Sequence, residues 1–212
     1  MSGKCPASDD LRWHSPAPIA VTTSAAETKP ADAEYAELLK RVAAGDFSID
    51  FRALRMACVH ASACDPRGDS ETLVAMRRAR AKDNEEQVVR EAQKLIESGF
   101  PNIEAHVAAS QAYAALNRTS DAEFHHHVAS ALLQSIFRSG DGRSKETAFE
   151  VIGTHEEYIV LAVMALPRMP VKQSLISGKP HSYDLLEVKD PKTGKTVAVW
   201  FNIDAFYPMK GL

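Results

Sequence analysis

The chain has 212 residues, 25 basic against 28 acidic side chains, a net charge of −3 and 45% hydrophobic residues, a composition that suits a globular protein with a sizeable core. Without a surplus of Lys and Arg on one face, nonspecific nucleic-acid binding is not expected. The longest apolar run, Tyr158 to Leu166, is half of the roughly 18 residues a membrane-spanning helix needs, so no membrane span is expected.

Residues 1–33 carry Pro6, Pro16, Pro18 and Pro30 among Ala, Ser and Thr and read as a disordered leader. No basic start and apolar core of a secretory signal is visible there, so the expected setting is cytoplasmic, or periplasmic or exported if a signal has been removed. From Glu34 the pattern changes. Tyr35, Leu38, Leu39 and Val42 form one apolar face, with Gly45 as the stop. Asp50 is an N-cap in position for a second helix carrying Phe51, Leu54, Met56, Ala57 and Val59, and Phe47 and Ile49 fall between the two.

The next break, Cys64 to Asp69, is a loop that contains an Arg67-Gly68-Asp69 triplet. Cys5, Cys58 and Cys64 are an odd number of cysteines, which argues against a disulfide framework. Cys58 and Cys64 would occupy different faces of a continued helix. A bridge between them requires the chain to turn near Asp65-Pro66.

Four further helices are expected near residues 70–81, 84–98, 103–116 and 120–138, stacked as antiparallel hairpins. A shift of 34 residues lays Val88 on Ala122, Ala92 on His126 and Leu95 on Ala129, a degenerate tetratricopeptide-like pattern in which small residues let helices approach. The basic run Arg77, Arg78, Arg80 and Lys82 is followed by Asp83, Glu85 and Glu86 and reads as a solvated helix end. The last of the four helices runs into Ser139-Gly140-Asp141-Gly142, which turns the chain.

Beyond Gly142 the periodicity shifts. Ala148 to Gly153 is β-prone, and Thr154 to Glu157 has capping-box spacing for a helix containing Tyr158, Ile159, Leu161, Ala162 and Ala165. Strands are expected over 171–177, 181–189 and 196–204, the last two joined by a hairpin at Asp190 to Lys195. Val197, Val199, Phe201 and Ile203 give the final strand an apolar face. The fold class is therefore α+β: a stack of helical hairpins over 34–138 packed on a small, mostly antiparallel sheet with one helix. The second part is a β-α-β-β-β unit over 148–207, and both parts are expected to form a single domain, 34–207.

The segments Gly45 to Arg55, Ser139 to Gly142, His155 to Tyr158, His181 to Asp184 and Phe201 to Asp204 together resemble those of domain-of-unknown-function family 4919, over roughly Glu34 to Tyr207. That resemblance implies a mostly bacterial setting and often export. It implies no reaction.

Two groups of residues are candidates for chemistry. In the His125-His126-His127 triplet, successive side chains point about 100° apart and cannot converge on one ion. Glu123 and His127 share a face, with His106 on the neighbouring helix as a third group, while His126 is expected at a packing position. The expected outcome is no metal and no cofactor. The second group joins His181, Tyr183 and Asp184 on one strand to Asn202 and Asp204 on its partner, where a His beside carboxylates suits acid-base work. No nucleophile elbow or phosphate-cradling glycine loop is present. The expected function is a noncatalytic module that binds a protein or peptide, with weaker binding candidates Tyr183, Asn202, His106 and His127. The alternative is a metal-dependent or acid-base hydrolase centred on His181, Asp184 and Asp204.

Overall fold

The computed structural model describes residues 29–207. The expected leader falls outside these residues as far as position 28, but its last part is helical. The first helix, α1 (Pro30–Ala43), begins at Pro30 rather than Glu34. A proline at the first helical position loses only an N–H that has no partner in any case, so Pro30 starts the helix instead of preventing it. Gly45, at φ +82°, ends the helix in the left-handed region, and the Asp46 N–H returns to the Arg41 carbonyl at 3.0 Å.

Helix α2 (Phe51–His60) is capped as expected by Asp50, whose carboxylate accepts from the N–H groups of Arg52 and Ala53. It buries Phe51, Leu54, Ala57 and Cys58, and also Arg55. The cysteine expectation is corrected here. Cys58 and Cys64 form a disulfide with a Cα–Cα distance of 5.3 Å. The turn that permits it comes earlier than Asp65: α2 stops at His60, and the Cys64 N–H closes onto the Ala61 carbonyl, which carries Cys64 back over the helix end.

Helices α3 (Ser70–Arg80), α4 (Glu85–Ser98), α5 (Ile103–Ala115) and α6 (Thr119–Phe137) follow within about a residue of the expected bounds. Asp69, Asn84 and Asn102 cap the first three by accepting from the N–H groups of Thr72, Gln87 and Ala105. Successive helices pack on one another. Between α3, α4, α5 and α6 lies an apolar cluster made largely of alanine, with Ala92, Ala105, Ala108, Ala109, Ala112 and Ala122 around Met76, Val88, Leu95 and Tyr113.

Beyond α6 the chain turns at Gly142 (φ +69°), where a Cβ would come within 2.5 Å of the Phe149 ring. Only glycine fits that close approach, and the Gly142 carbonyl accepts the Trp200 N–H at 2.8 Å, stitching the turn to the sheet. The sheet comprises β1 (Phe149–Glu150), β2 (Lys172–Ile176), β3 (Tyr183–Lys189) and β4 (Thr196–Asn202) in the order β1-β4-β3-β2. The short β1 is parallel to β4, and the other pairings are antiparallel. The strands are shorter than expected, and His181 and Asp204 stand just outside β3 and β4.

Helix α7 (Thr154–Val163) departs from its expected start and end. Gly153 is the N-cap and no side chain caps it, so the Thr154–Glu157 capping box does not form. Glu157 turns inward instead of back toward the helix start. The helix ends before Ala165, which adopts φ +58°.

The inner face of the sheet carries Leu186 and Val188 of β3 and Val199 and Phe201 of β4. One apolar cluster joins these to Val160 and Leu161 of α7, to Val128, Leu132 and Ile136 of α6, and to α1 and α2. Phe137 meets the Phe149 ring edge-on at 5.2 Å, and Phe149 lies 6.0 Å from Phe201.

Candidate functional site

A groove of about 990 Å³ opens where the helical stack meets the outer face of the sheet. Phe47 comes from the turn before α2, Arg52 from the first turn of α2, Arg138 from the end of α6, Glu150 from β1, Tyr183 from the start of β3 and His181 from just before it. Its position follows from the local folding of each segment. The Asp50 cap fixes the first turn of α2, so Arg52 projects from it. The Ser139 hydroxyl donates to the Ile136 carbonyl and accepts the Glu150 N–H at 2.8 Å, which places β1 beside the end of α6. Arg52 and Glu150 then form a two-pronged ion pair, at 2.5 and 2.7 Å, between α2 and β1.

On the far wall, His181 Nδ1 lies 2.6 Å from Asp204 Oδ2, and the Ser182 N–H donates to Asp204 Oδ1 at 2.8 Å. Asn202 accepts from the Asp204 N–H at 3.0 Å, so it shapes the strand end. Tyr183 stands opposite Asn202 in the ladder and packs edge-on against Trp200. His181 and Asp204 are both partly exposed, and this pair can orient an imidazole toward the groove.

Asp184 is not part of this arrangement. Side chains alternate along β3, and Asp184 pairs with Phe201 on the buried face, opposite to His181 and Tyr183. There it is bonded by the Gln173 amide. Burial raises its carboxyl, against the lowering effect of the Gln173 and Leu185 hydrogen bonds. The structure thus brings His181, Tyr183, Asn202 and Asp204 together and separates Asp184 from them.

The histidines of the helical stack also divide differently from expectation. His106 and His125, not His127, meet: their Nδ1 atoms are 2.9 Å apart. His106 Nε2 donates to the Phe100 carbonyl at 2.9 Å, which leaves its Nδ1 to accept the proton of His125 Nδ1. Burial, with the neighbouring His125 next, holds His106 down to about 3, and burial holds His125 down to about 4. His127 donates to the Glu123 carbonyl and stacks on Phe47 at 5.3 Å. His126 is exposed, so its expected packing role is corrected: the helix turns His125 inward in its place. No group of three or more His, Cys, Asp or Glu among the described residues is placed to hold a metal ion.

A buried polar layer went unread in the sequence. Arg55 is fully enclosed and pairs with Glu156 through Nε and Nη2, at 2.9 and 2.5 Å. It also reaches the Ser135 hydroxyl at 3.2 Å and the Glu150 carbonyl at 2.8 Å, and the Ile152 N–H donates to Glu156 at 2.9 Å. Arg55 ties α2, α6, β1 and α7 together, and through Glu150 this layer adjoins the groove. The available signal was a charge on the apolar stripe of α2, between Leu54 and Cys58.

The family model described as Domain of unknown function (DUF4919) matches residues 23–210. No curated protein and no solved structure matches the chain.

Proposed function

From the premise that the chain belongs to this DUF4919 family, we propose that it is a noncatalytic module that binds a protein or peptide segment in the groove between the helical stack and the sheet. The observation that carries this reading is the construction of the groove from two ends of the sequence, with Arg52 and Glu150 paired between them. A shallow trough with aromatic Phe47 and Tyr183 and charged Arg52 and Arg138 offers both apolar contact and hydrogen bonding to an extended segment. The tetratricopeptide-like pairing of α3 to α6 supports the same use, since stacked helical hairpins commonly serve as binding surfaces. The disulfide supports work in an oxidising compartment rather than in the reducing cytoplasm.

The test is selection of peptides from a displayed library on the wild-type chain, followed by measurement of the selected sequences on variants. Arg52→Glu and Tyr183→Ala are expected to weaken binding at least tenfold, while Glu86→Ala, on the exposed face of α4, leaves it unchanged. Equal binding by all three variants would move the site elsewhere.

A second reading rests on the His181–Asp204 pair, in which the carboxylate orients the imidazole as a general base for hydrolysis. Asp184 lies outside that pair, and no Ser or Cys is hydrogen-bonded to His181 among the described residues. Turnover of ester, amide or phosphoester substrates that disappears in His181→Ala would replace the binding reading with this one.

A further inference from the structure

Two buried carboxyl groups, Glu157 of α7 and Asp184 of β3, lie near enough for the charge of one to act on the other, on the side of the sheet away from the groove. Glu157 projects from the same face of α7 as Val160 and Leu161, three and four residues on, and like them is fully enclosed. Facing this helix, Asp184 lies on the inner side of β3, two residues before buried Leu186. Ser182, two residues earlier again, is also fully buried. Gln173 of β2 bonds one oxygen of Asp184. The other Asp184 oxygen, both oxygens of Glu157 and the Ser182 hydroxyl have no hydrogen-bond partner among the described residues.

Among the described residues, no cation balances this cluster. Arg55 of α2 commits its guanidinium to Glu156, Ser135 and the Glu150 carbonyl. Of the groups around Glu157, Asp184 of β3 and Glu156 of its own helix are acidic, Gln173 and Ser182 are uncharged, and burial holds the adjacent His155 toward its neutral form. Two ionised carboxylates here would leave more acceptor atoms than donors and set like charges together without screening, the arrangement a buried site avoids by keeping one proton.

We propose that Glu157 is a protonated carboxylic acid at neutral pH, set against the Asp184 carboxylate, and that this proton fastens α7 to the sheet as a pH-sensitive latch. The acid form supplies a donor to a cluster otherwise short of donors. Burial, then Asp184, then Glu156 push the Glu157 carboxyl from 4.5 up to about 8. Burial raises the Asp184 carboxyl as well, but the Gln173 amide and the Leu185 N–H favour its anion, so Asp184 is the partner better provided to carry the charge.

The direction of the pH effect follows. Between 4.5 and about 8 the native chain keeps a proton that the unfolded chain has lost. The stabilisation is therefore complete below the unfolded value, declines as pH rises, and is gone once pH passes the folded value. The unfolding constant attributable to this group rises by up to about tenfold per pH unit across that window.

The experiment is a carbon-13 carboxyl titration of the full chain by NMR, paired with denaturant unfolding across the same pH range, for wild type, Glu157→Gln and Asp184→Asn. Glu157 is expected to titrate far above the ordinary carboxylate range, and Asp184→Asn to lower that midpoint. Glu157→Gln, which fixes the neutral form, should remove the tenfold-per-unit slope between 4.5 and about 8. A Glu157 midpoint in the ordinary range overturns the proposal, as does an unchanged slope in Glu157→Gln. Unfolding in the presence of calcium or magnesium supplies a further arm: stabilisation by either ion that Glu157→Gln abolishes overturns the proposal in favour of a cation site. If Glu157→Gln does not fold, the wild-type titration decides alone.

Discussion

The alanine-lined cluster between α3 and α6 and the cluster that joins the helices to the sheet solve the same problem by different means. In the first, small residues let neighbouring helices approach, and the partners are close in sequence. In the second, the partners come from α1, α2, α6, α7 and three strands, and charges are enclosed among the apolar side chains. Each region also encloses a titratable pair. The His106–His125 pair is supplied with a donor and an acceptor at every contact, whereas Glu157 and Asp184 leave polar atoms unmatched. Packing of sequence neighbours can be specified by residue size alone. A join between distant segments here depends on a few polar groups, and it is the place where substitution should do most damage.

The largest effect is expected at Arg55. Arg55→Ala strands the enclosed Glu156 carboxylate and removes a group that ties α2 to three other elements, so stability should fall by about 3 to 5 kcal/mol in denaturant unfolding. Replacing both partners, Arg55→Met with Glu156→Leu, should cost much less than the single change, because no unpaired charge remains. A double variant as unstable as Arg55→Ala would mean that the packing of the long side chain, rather than its charge, holds the join.

A smaller loss is expected at Phe137, which is only partly buried but stands at the end of α6 against Phe149. Phe137→Ala should lower stability by about 2 to 3 kcal/mol, at or below the usual range for a fully enclosed ring. Hydrogen exchange on this variant tests whether stack and sheet form one cooperative unit, as proposed. Loss of protection should reach both α6 and the β3–β4 hairpin. Deprotection confined to the helices would separate the two regions.

The same contrast explains what could be read from the sequence. Helices α2 to α6 were legible because the Asp50 cap, the turn residues between helices and the apolar spacing are local signals. The β3–β4 hairpin was legible from its turn and its alternation. Helix α7 was placed but its start was misread. Glu157 looked like half of a capping box, and only the folded chain shows Glu156 drawn to Arg55, 101 positions earlier, while Glu157 is enclosed. The Cys58–Cys64 bridge depended on where α2 stops, a boundary that spacing alone does not fix. At the candidate site, His181 and Asp204 were recognisable as a pair across a hairpin. The exclusion of Asp184 followed from strand alternation and was available in principle. The Arg52–Glu150 pair, 98 positions apart, was not.

A change of slope rather than of stability at neutral pH distinguishes the two titratable pairs, by the sign of their pH dependence. His106 and His125 are held neutral in the folded chain, down to about 3 and about 4, from an ordinary value of 6.5. As pH falls below 6.5 the unfolded chain takes up protons that the native chain refuses. Their contribution is therefore whole above that value, declines on acidification, and levels off below the folded values. The ceiling is about 1.4 kcal/mol per pH unit for each ring. His125→Phe retains an aromatic ring beside Tyr113 while deleting one titrating group, so its unfolding curve should lose roughly one proton's worth of slope between neutral pH and the folded midpoint. The opposite slope assigned to Glu157, which extends up to about 8, should be untouched, because the two pairs sit in different clusters. If His125→Phe changes the slope between 6.5 and about 8 and leaves that below 6.5 alone, the assignment of acid sensitivity to the helical stack fails.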